Sequence, residues 1–309
     1  MRVLSMIVLV TLLGASAVLP AQTQDVNLNE CNDGNPTQMI AGCTALIQSG
    51  QYSGTNLAMA YNNRGNAYED IGQYNQAIQD LNQALQLDPS DADAFNNRGY
   101  VYFRTGQYDQ AIQDYTQAIQ LSPRLTQAFY NRGSAYSAKG AYNQAIQDFT
   151  QVIELNPSEW QAFTGRGNAY SNNGQYNLAI ADFNQALTLH PNSGVALNDR
   201  CYNEAIVGQL QPALADCNQS LTLHPKNADT LDSRCFVYLK LNNADAAIAD
   251  CNAALTINPK LATSLYSRGL AERKGGNMTA SNADIAAAIA IQANVESLYV
   301  QMGVPAPTP

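Results

Sequence analysis

The sequence predicts an all-α protein built as a solenoid of antiparallel helix pairs. Three observations carry this prediction: a period of 34 residues, two amphipathic stretches within each period, and a proline that closes most periods. Self-similarity at a fixed period of roughly 20–50 residues is the signature of repeat proteins. A single short helix pair cannot bury its apolar face by itself, so neighbouring pairs are expected to stack.

The period is most visible in four related segments, which read YNNRGNAY, FNNRGYVY, FYNRGSAY and FTGRGNAY. They begin at residues 61, 95, 129 and 163, each 34 residues after the last. Prolines recur at the same interval, and the last period lacks one. These prolines are Pro89, Pro123, Pro157, Pro191, Pro225 and Pro259.

The first helix of a period is predicted over residues 58–73. Tyr61, Gly65 and Tyr68 are four and three residues apart, which places them on one helical stripe. The small glycine lets a neighbouring helix approach closely, whereas the tyrosine fills space between turns. Gly72 then interrupts the pattern and predicts a turn.

The second helix is predicted over residues 74–87. Ala77, Leu81 and Ala84 form its apolar stripe. Pro89 ends it, because proline cannot continue a helix and restricts the residue before it.

This pattern resembles the tetratricopeptide repeat (TPR) family. The family places an aromatic residue, glycine and tyrosine on the first helix, then alanine, an aromatic residue or leucine, alanine and a closing proline on the second. The resemblance implies a right-handed superhelical solenoid that binds partners. One complete instance is Phe163, Gly167, Tyr170, Ala179, Phe183, Ala186 and Pro191.

Later repeats depart from the family pattern. Cys201 and Cys235 stand where glycine is expected, and Glu204 and Glu272 stand where tyrosine is expected. These repeats are therefore expected to be locally less regular.

The repeat period and the composition of the two ends of the chain also predict domain boundaries. A signal peptide, residues 1–21, precedes an N-terminal cap with a partial repeat, residues 22–57. A C-terminal cap and disordered tail follow at residues 296–309. The seven full repeats between the caps are residues 58–91, 92–125, 126–159, 160–193, 194–227, 228–261 and 262–295.

Within the N-terminal cap, residues 36–50 are expected to form a second helix that lacks the first helix of its repeat. Residues 52–59 are expected to form a longer connection to the first full repeat.

The N-terminus has the composition of an export signal. Arg2 supplies a positive charge, the apolar run 3–13 follows, and residues 15–17 read Ala-Ser-Ala, with Ala21 as an alternative cleavage point. About a dozen apolar residues are fewer than the roughly 20 that span a bilayer. We therefore expect an exported protein, periplasmic or secreted, without an integral membrane segment after cleavage; the alternative is an uncleaved anchor.

Arginine and aspartate recur in register and are expected to pair. If the helix pair is reflected about its turn near Gly72, Arg64 lies opposite Asp80. The prediction is a structural ladder of ion pairs; an anion-binding arginine row is the weaker alternative, because each arginine has a carboxylate opposite. The pairs are Arg64–Asp80, Arg98–Asp114, Arg132–Asp148, Arg166–Asp182, Arg200–Asp216, Arg234–Asp250 and Arg268–Asp284.

Six cysteines in an exported chain suggest three disulfides. By the same reflection Cys201 faces Cys217 and Cys235 faces Cys251, and Cys31 and Cys43 would pair within the cap. Two alternatives stay open: a Cys217–Cys235 bond, or free thiols that pack as small apolar groups.

No cofactor and no metal site is predicted. No C-x-x-C occurs, and His190 and His224 lie beside repeat prolines, away from the cysteines. Neither a nucleophile motif nor a phosphate-binding glycine loop is present, so an enzyme is the least supported function. The net charge of -9 and the lack of clustered Lys and Arg argue against nucleic acid.

Residues that differ between repeats are the candidates for function. In the TPR family the first helices line a concave groove that binds partners, and the basic residues of its best-known carboxylate clamp are absent here. Asparagine amides with interspersed aromatics suit a protein or extended peptide, and alternatively a glycan such as peptidoglycan. The groove positions are Asn62, Asn66, Asn96, Tyr100, Phe103, Tyr130, Ser134, Thr164, Asn168, Tyr202, Phe236 and Tyr266.

Overall fold

The computed structural model describes residues 21–307, with side chains from residue 26. This part of the chain forms 17 α-helices and contains no strand, which confirms the all-α prediction. Apart from Ala21, the predicted signal peptide lies outside the described residues. Among the described helices, none combines the length and the apolar character needed to cross a bilayer.

The chain divides into two compact units, with the boundary between Ala128 and Phe129. The helices of the first unit are α1 (Ala21–Asp33), α2 (Pro36–Ser49), α3 (Gly54–Asp70), α4 (Tyr74–Leu87), α5 (Ala92–Arg104) and α6 (Tyr108–Leu121). The boundary falls within α7 (Thr126–Ala138). The second unit continues with α8 (Tyr142–Leu155), α9 (Trp160–Asn172), α10 (Tyr176–Leu189), α11 (Gly194–Ile206), α12 (Leu210–Leu223), α13 (Ala228–Lys240), α14 (Ala244–Ile257), α15 (Ala262–Lys274), α16 (Met278–Ile291) and α17 (Val295–Gln301).

The turn inside each of the seven full repeats depends on a residue with positive φ. Gly72 and Gly174 adopt φ of 74° and 75°. Asn242 takes the same repeat position with φ of 59°. Asparagine is among the few non-glycine residues that visit this region, which explains why the sixth repeat keeps its turn.

Close approach of the paired helices requires glycine on the first helix. A Cβ at Gly167 would lie 2.7 Å from the ring of Phe183, and one at Gly65 would lie 2.9 Å from Leu81. Both partner side chains are fully buried. The glycine and the large residue therefore form one packing unit across the pair.

The N-terminal cap differs from the prediction. Residues 36–50 do not form an unpaired second helix, because α1 packs against α2 and the Cys31–Cys43 disulfide joins them. The sequence pattern does not predict α1, because its residues are mostly polar and lie outside the 34-residue period. The predicted connection at 52–59 is also mostly helical, because α3 begins at Gly54.

Each arginine of the ladder forms a two-pronged ion pair with the predicted aspartate. In Arg166, Nε and Nη2 donate to the two carboxylate oxygens of Asp182, both at 2.8 Å. The guanidinium also lies over the rings of Phe163 and Tyr170, at 5.7 and 5.9 Å from their centroids. The hydrogen bond to Asp182 raises the pKa of Arg166 although burial opposes it, so the pair remains charged.

A further hydrogen bond from the arginine guanidinium connects successive helix pairs. Nη1 of Arg166 donates to the Thr150 hydroxyl, 3.0 Å away on the second helix of the preceding repeat. Nη1 makes the equivalent bond to a threonine or asparagine in Arg64–Thr44, Arg98–Asn82, Arg200–Asn184, Arg234–Asn218 and Arg268–Asn252.

The structure contains three disulfides and, among the described residues, no free cysteine. Cys201 is bonded to Cys217 and Cys235 to Cys251, each linking the first and second helix of a repeat. The Cys217–Cys235 alternative is not formed. In both repeats the bond replaces the contact between glycine and a large residue, and all four cysteines are fully buried.

We predict that Cys201→Ala/Cys217→Ala lowers the free energy of unfolding by about 3 kcal/mol, because the cross-link no longer restricts the unfolded chain. Cys201→Gly/Cys217→Phe is expected to recover part of that loss, since it restores the packing found at Gly167 and Phe183. Denaturant unfolding of both variants checks this. Equal stability of the two would show that packing does not substitute for the bond.

Glu204 is a buried carboxylate at a position that five of the seven repeats fill with tyrosine. It is 6% exposed, and its Oε1 lies 4.0 Å from Nε of Arg200, which is already paired with Asp216. Its Oε2 has no hydrogen-bonding partner among the described residues. Burial, reinforced by the charge of Asp216 and opposed by Arg200, raises the pKa of Glu204 to about 7.

This raised pKa predicts that stability falls as pH rises from 6 to 8. At pH 6 the folded protein keeps Glu204 protonated, whereas at pH 8 it must hold a buried charge that the unfolded chain solvates freely. We expect a loss of the order of 1 kcal/mol after solvent screening. Glu204→Gln should flatten the profile of unfolding free energy against pH. Glu272→Gln, at the same repeat position but half-buried, is the control and should leave the slope in place.

Candidate functional site

The proposed groove residues lie on first helices but differ widely in exposure. In the first unit Tyr100 is 36% exposed and Phe103 is half-buried against the Tyr108 ring. In the second unit Tyr130 and Tyr202 are half-buried. The most buried of the set are Asn96, Thr164, Phe236 and Tyr266.

In the first unit, a hydrogen bond between two asparagines joins α3 to α5, the first helices of two successive repeats. Asn97 on α5 donates from Nδ2 to Oδ1 of Asn62 on α3 at 3.0 Å. Asn96 is buried, so it contributes to helix packing and offers little surface. Asn66 is half-buried on the same helix as Asn62. The amide surface of this unit is therefore narrower than the sequence suggests.

Arg104, at the end of α5, makes a cationic and aromatic cluster on this face. Its Nη1 pairs with Glu69 at 2.7 Å, and its Nη2 donates to the Tyr74 hydroxyl at 2.9 Å. The guanidinium lies 5.8 Å from the centroid of the Tyr100 ring. A hydrogen bond to Tyr100 and the charge of Glu69 raise the pKa of Arg104, and its side chain is 43% exposed. The cluster thus holds an ion-paired but partly exposed guanidinium beside an exposed ring.

In the second unit, two of the hydroxyl groups proposed for the groove donate hydrogen bonds to backbone carbonyls of their own helices. Ser134 donates to the carbonyl of Tyr130, and Thr164 donates to that of Trp160. The Tyr130 ring packs edge-on against Phe149 at 5.4 Å. Burial raises the pKa of Tyr130, so it presents a neutral phenol.

Two further acids occupy the first helices of the second unit. Burial raises the pKa of Asp199 on α11 to about 6, and the amides of Asn168 and Asn198 partly offset the rise. Asp232 on α13 accepts hydrogen bonds from the hydroxyls of Thr263 and Ser264, and burial raises its pKa too. No Lys or Arg of the described chain forms an ion pair with either acid. The first helices of the second unit therefore carry these two buried acids as well as the basic residues Lys240 and Lys274.

Phe236 and Tyr266 are not available to a partner, which corrects their assignment to an open groove. They are 3% and 0% exposed because Tyr299 of α17 covers both, with ring centroids 5.5 and 4.7 Å away. Tyr202 is half-covered, since its hydroxyl bonds to Met302 just after α17. The sequence predicts a capping helix but not the face on which it lies.

The sequence analysis did not assign three basic residues to the site, although their shared repeat position indicates that they lie together on the first helices. Arg104, Lys240 and Lys274 are the same residue of their repeats, the last of the first helix. Lys240 Nζ donates to the carbonyls of Ala205 and Ile206 at the end of α11, at 2.7 and 3.2 Å. A cation there is favoured by the helix C-terminus it contacts. Asn198 and Asp232 were missed in the same way, since they are at the repeat position of Asn62.

Sequence models of known families match this chain in three ways. A TPR repeat model matches residues 65–106, and tetratricopeptide repeat models match residues 92–125, 126–159, 160–193 and 236–261. Together the matched residues cover half of the chain. No curated protein matches the sequence.

Solved structures show the same fold at low sequence identity. The APC/C hetero-tetramer Cut9–Hcn1 superposes with a TM-score of 0.66 over 92% of this chain, at 17% identity, and the chain spans 56% of that relative. A tetratricopeptide repeat protein from Parabacteroides merdae gives 0.64, at 20% identity, over 80% of this chain and 97% of its own. YrrB, described as a TPR protein with an unusual peptide-binding site, gives 0.50, at 21% identity, over 61% and 97%. The family matches, the repeated helix pairs and these neighbours together show that the chain belongs to the tetratricopeptide repeat family.

Proposed function

We propose that this protein is a non-catalytic scaffold that binds a protein partner through an extended peptide segment on its first helices. The observation that carries the proposal is the exposed Tyr100 held beside Arg104 on α5. The architecture does not require this pair, because neither residue is repeated at its position in the adjacent repeats. Exposed tyrosine and arginine are the residue types that dominate binding energy at interfaces.

The chemistry of this face suits a peptide with an acidic or carboxyl-terminal group. Glu69 and Tyr74 each accept from one nitrogen of the Arg104 guanidinium, but the side chain is 43% exposed and can approach a further carboxylate. The Tyr100 ring offers an apolar face, and the Asn66 amide can bond to a peptide backbone. YrrB is described as having a peptide-binding site, and Cut9 is described in a complex with Hcn1, which supports peptide or protein binding by this fold.

Export is part of the proposal. Disulfides persist in oxidising compartments, and this chain buries three of them. The N-terminal sequence supplies a signal with Ala17 or Ala21 at its cleavage point. The compartment is then the periplasm or the exterior of the cell.

We predict that the mature protein begins at Val18 or Gln22. N-terminal sequencing of protein from the native cell, with thiol labelling before and after reduction, measures both features. An intact Met1 in the purified protein would contradict cleavage of the signal, and six reactive thiols would contradict export.

The identity of the partner is tested by cross-linking in the native cell, followed by recovery of the tagged mature protein and mass spectrometry. One or two stoichiometric proteins, retained after glycosidase treatment, support the scaffold. Enrichment of cell-wall fragments that soluble sugar displaces would instead favour a glycan-binding module. If the protein turned over a substrate, and a substitution in the groove abolished that turnover, an enzymatic function would be supported instead.

We predict that Tyr100→Ala and Tyr130→Ala each weaken binding of the recovered partner by about tenfold, because a truncated aromatic anchor costs more than about 1 kcal/mol. Leu178→Ala, a substitution of an exposed apolar residue on the second helix α10, is the control. Affinity is measured by titration, and circular dichroism confirms the fold. Unchanged affinity in the two variants, or an equal loss in the control, would remove the assignment to first helices.

A further inference from the structure

The C-terminal segment, residues 295–304, runs back over the first helices of the second unit. A helix that simply continued the solenoid would contact α15 and α16. The segment does contact both of these helices, but Met302 also reaches Lys240 on α13 and Tyr202 on α11, one and two repeats further back. The segment therefore lies across α15, α13 and α11, on the face that bears the groove positions.

Tyr299 is the anchor of this segment. It is 2% exposed and sits edge-on between the Phe236 and Tyr266 rings. Its hydroxyl donates to the carbonyl of Thr263 at 2.9 Å, and the hydroxyl of Ser267 lies 2.6 Å away. Because a phenol has one proton, Ser267 is the donor in the second bond. The pocket thus satisfies the whole side chain, ring and hydroxyl together.

Met302 closes the other end. Its side chain is 2% exposed, and its sulfur accepts a hydrogen bond from the Tyr202 hydroxyl at 3.1 Å. Its backbone carbonyl accepts from Lys240 Nζ at 3.0 Å. The lysine binds a main-chain carbonyl just after the helix, so the site specifies the C-terminal end of a helix and two side chains, a tyrosine and an apolar residue three positions later.

The segment has little structure of its own to keep it in place. Its helix is seven residues long, which is far below the roughly 12–15 residues that an isolated helix needs in water. Its helicity therefore depends on the contacts with α11, α13 and α15. A three-residue link after α16, residues 292–294, holds it at high effective concentration.

We propose that the face of α11, α13 and α15 is a binding surface for a short helical segment of a partner, with a tyrosine and an apolar residue three positions later. The chain's own C-terminal segment occupies this surface in cis, and the partner segment displaces it. The inference rests on the proposed scaffold function and names a second surface, separate from the Tyr100 cluster. Tyr202, Phe236 and Tyr266 are then groove residues that are covered in the resting protein.

The test uses the full chain and a fluorescent peptide with the sequence of residues 295–304, VESLYVQMGV. In the unsubstituted protein the tethered segment competes, so weak binding is expected. Tyr299→Ala removes the anchor in cis, and we expect it to bind the peptide at least tenfold more tightly. Val300→Ala, a substitution of an exposed residue in the same helix, is the control and should bind as the unsubstituted protein does.

Two further measurements keep the result decisive. A peptide with alanine at the position of Tyr299 should not bind, and Met302→Ala in the chain should also increase binding, since it opens the segment without removing the ring. A folded Tyr299→Ala chain that does not bind the peptide, or Val300→Ala with an equal gain, would overturn the inference. Tyr100→Ala serves to separate the two proposals, because it should weaken the native partner and leave this peptide unaffected.

Discussion

The bond that the rest of this solenoid depends on is the two-pronged pair between arginine and aspartate. One guanidinium binds the carboxylate opposite it within the repeat and, through Nη1, the second helix of the repeat before. Exposed pairs contribute little to stability, but removal of one partner from a buried pair leaves an uncompensated charge, at a cost of about 3–5 kcal/mol. The arginine thereby links the two helices of a repeat to each other and to the preceding repeat.

Where the regular packing changes, other interactions take its place. In the repeats that contain Cys201 and Cys235, a disulfide replaces the contact between glycine and a large side chain. Glu204 then takes the place of the tyrosine beside the ladder arginine, and its burial links this region to pH. Tyr299 covers Phe236 on α13 and Tyr266 on α15. Covalent bonds and a folded-back segment thus hold the part of the chain where the pattern is weakest.

Residues that recur in every repeat build the fold, whereas residues that vary between repeats are the candidates for function. Glycine, arginine and aspartate recur because the fold needs them at fixed positions, and repeated residues therefore carry no information about the partner. The faces of the first helices vary instead: one carries the Arg104–Glu69 pair beside Tyr100, whereas another carries Asp199, Asp232 and Lys240. A scaffold whose faces differ in polar residues can select among partners by complementarity.

The sequence by itself determined the repeat, the helix pairs, the arginine–aspartate register and the facing of Cys201 with Cys217, because these depend on spacing along the chain. It did not reveal α1, whose polar residues carry no period, or the cover over Phe236 and Tyr266. Exposure at a groove position depends on residues distant in sequence: Tyr299 contacts Phe236 across 63 positions, and Met302 contacts Tyr202 across 100. The direction taken by a seven-residue helix after the last repeat is decided by the surface it can bury. Local pattern therefore specifies the scaffold, and the tertiary structure decides which parts of its face remain open.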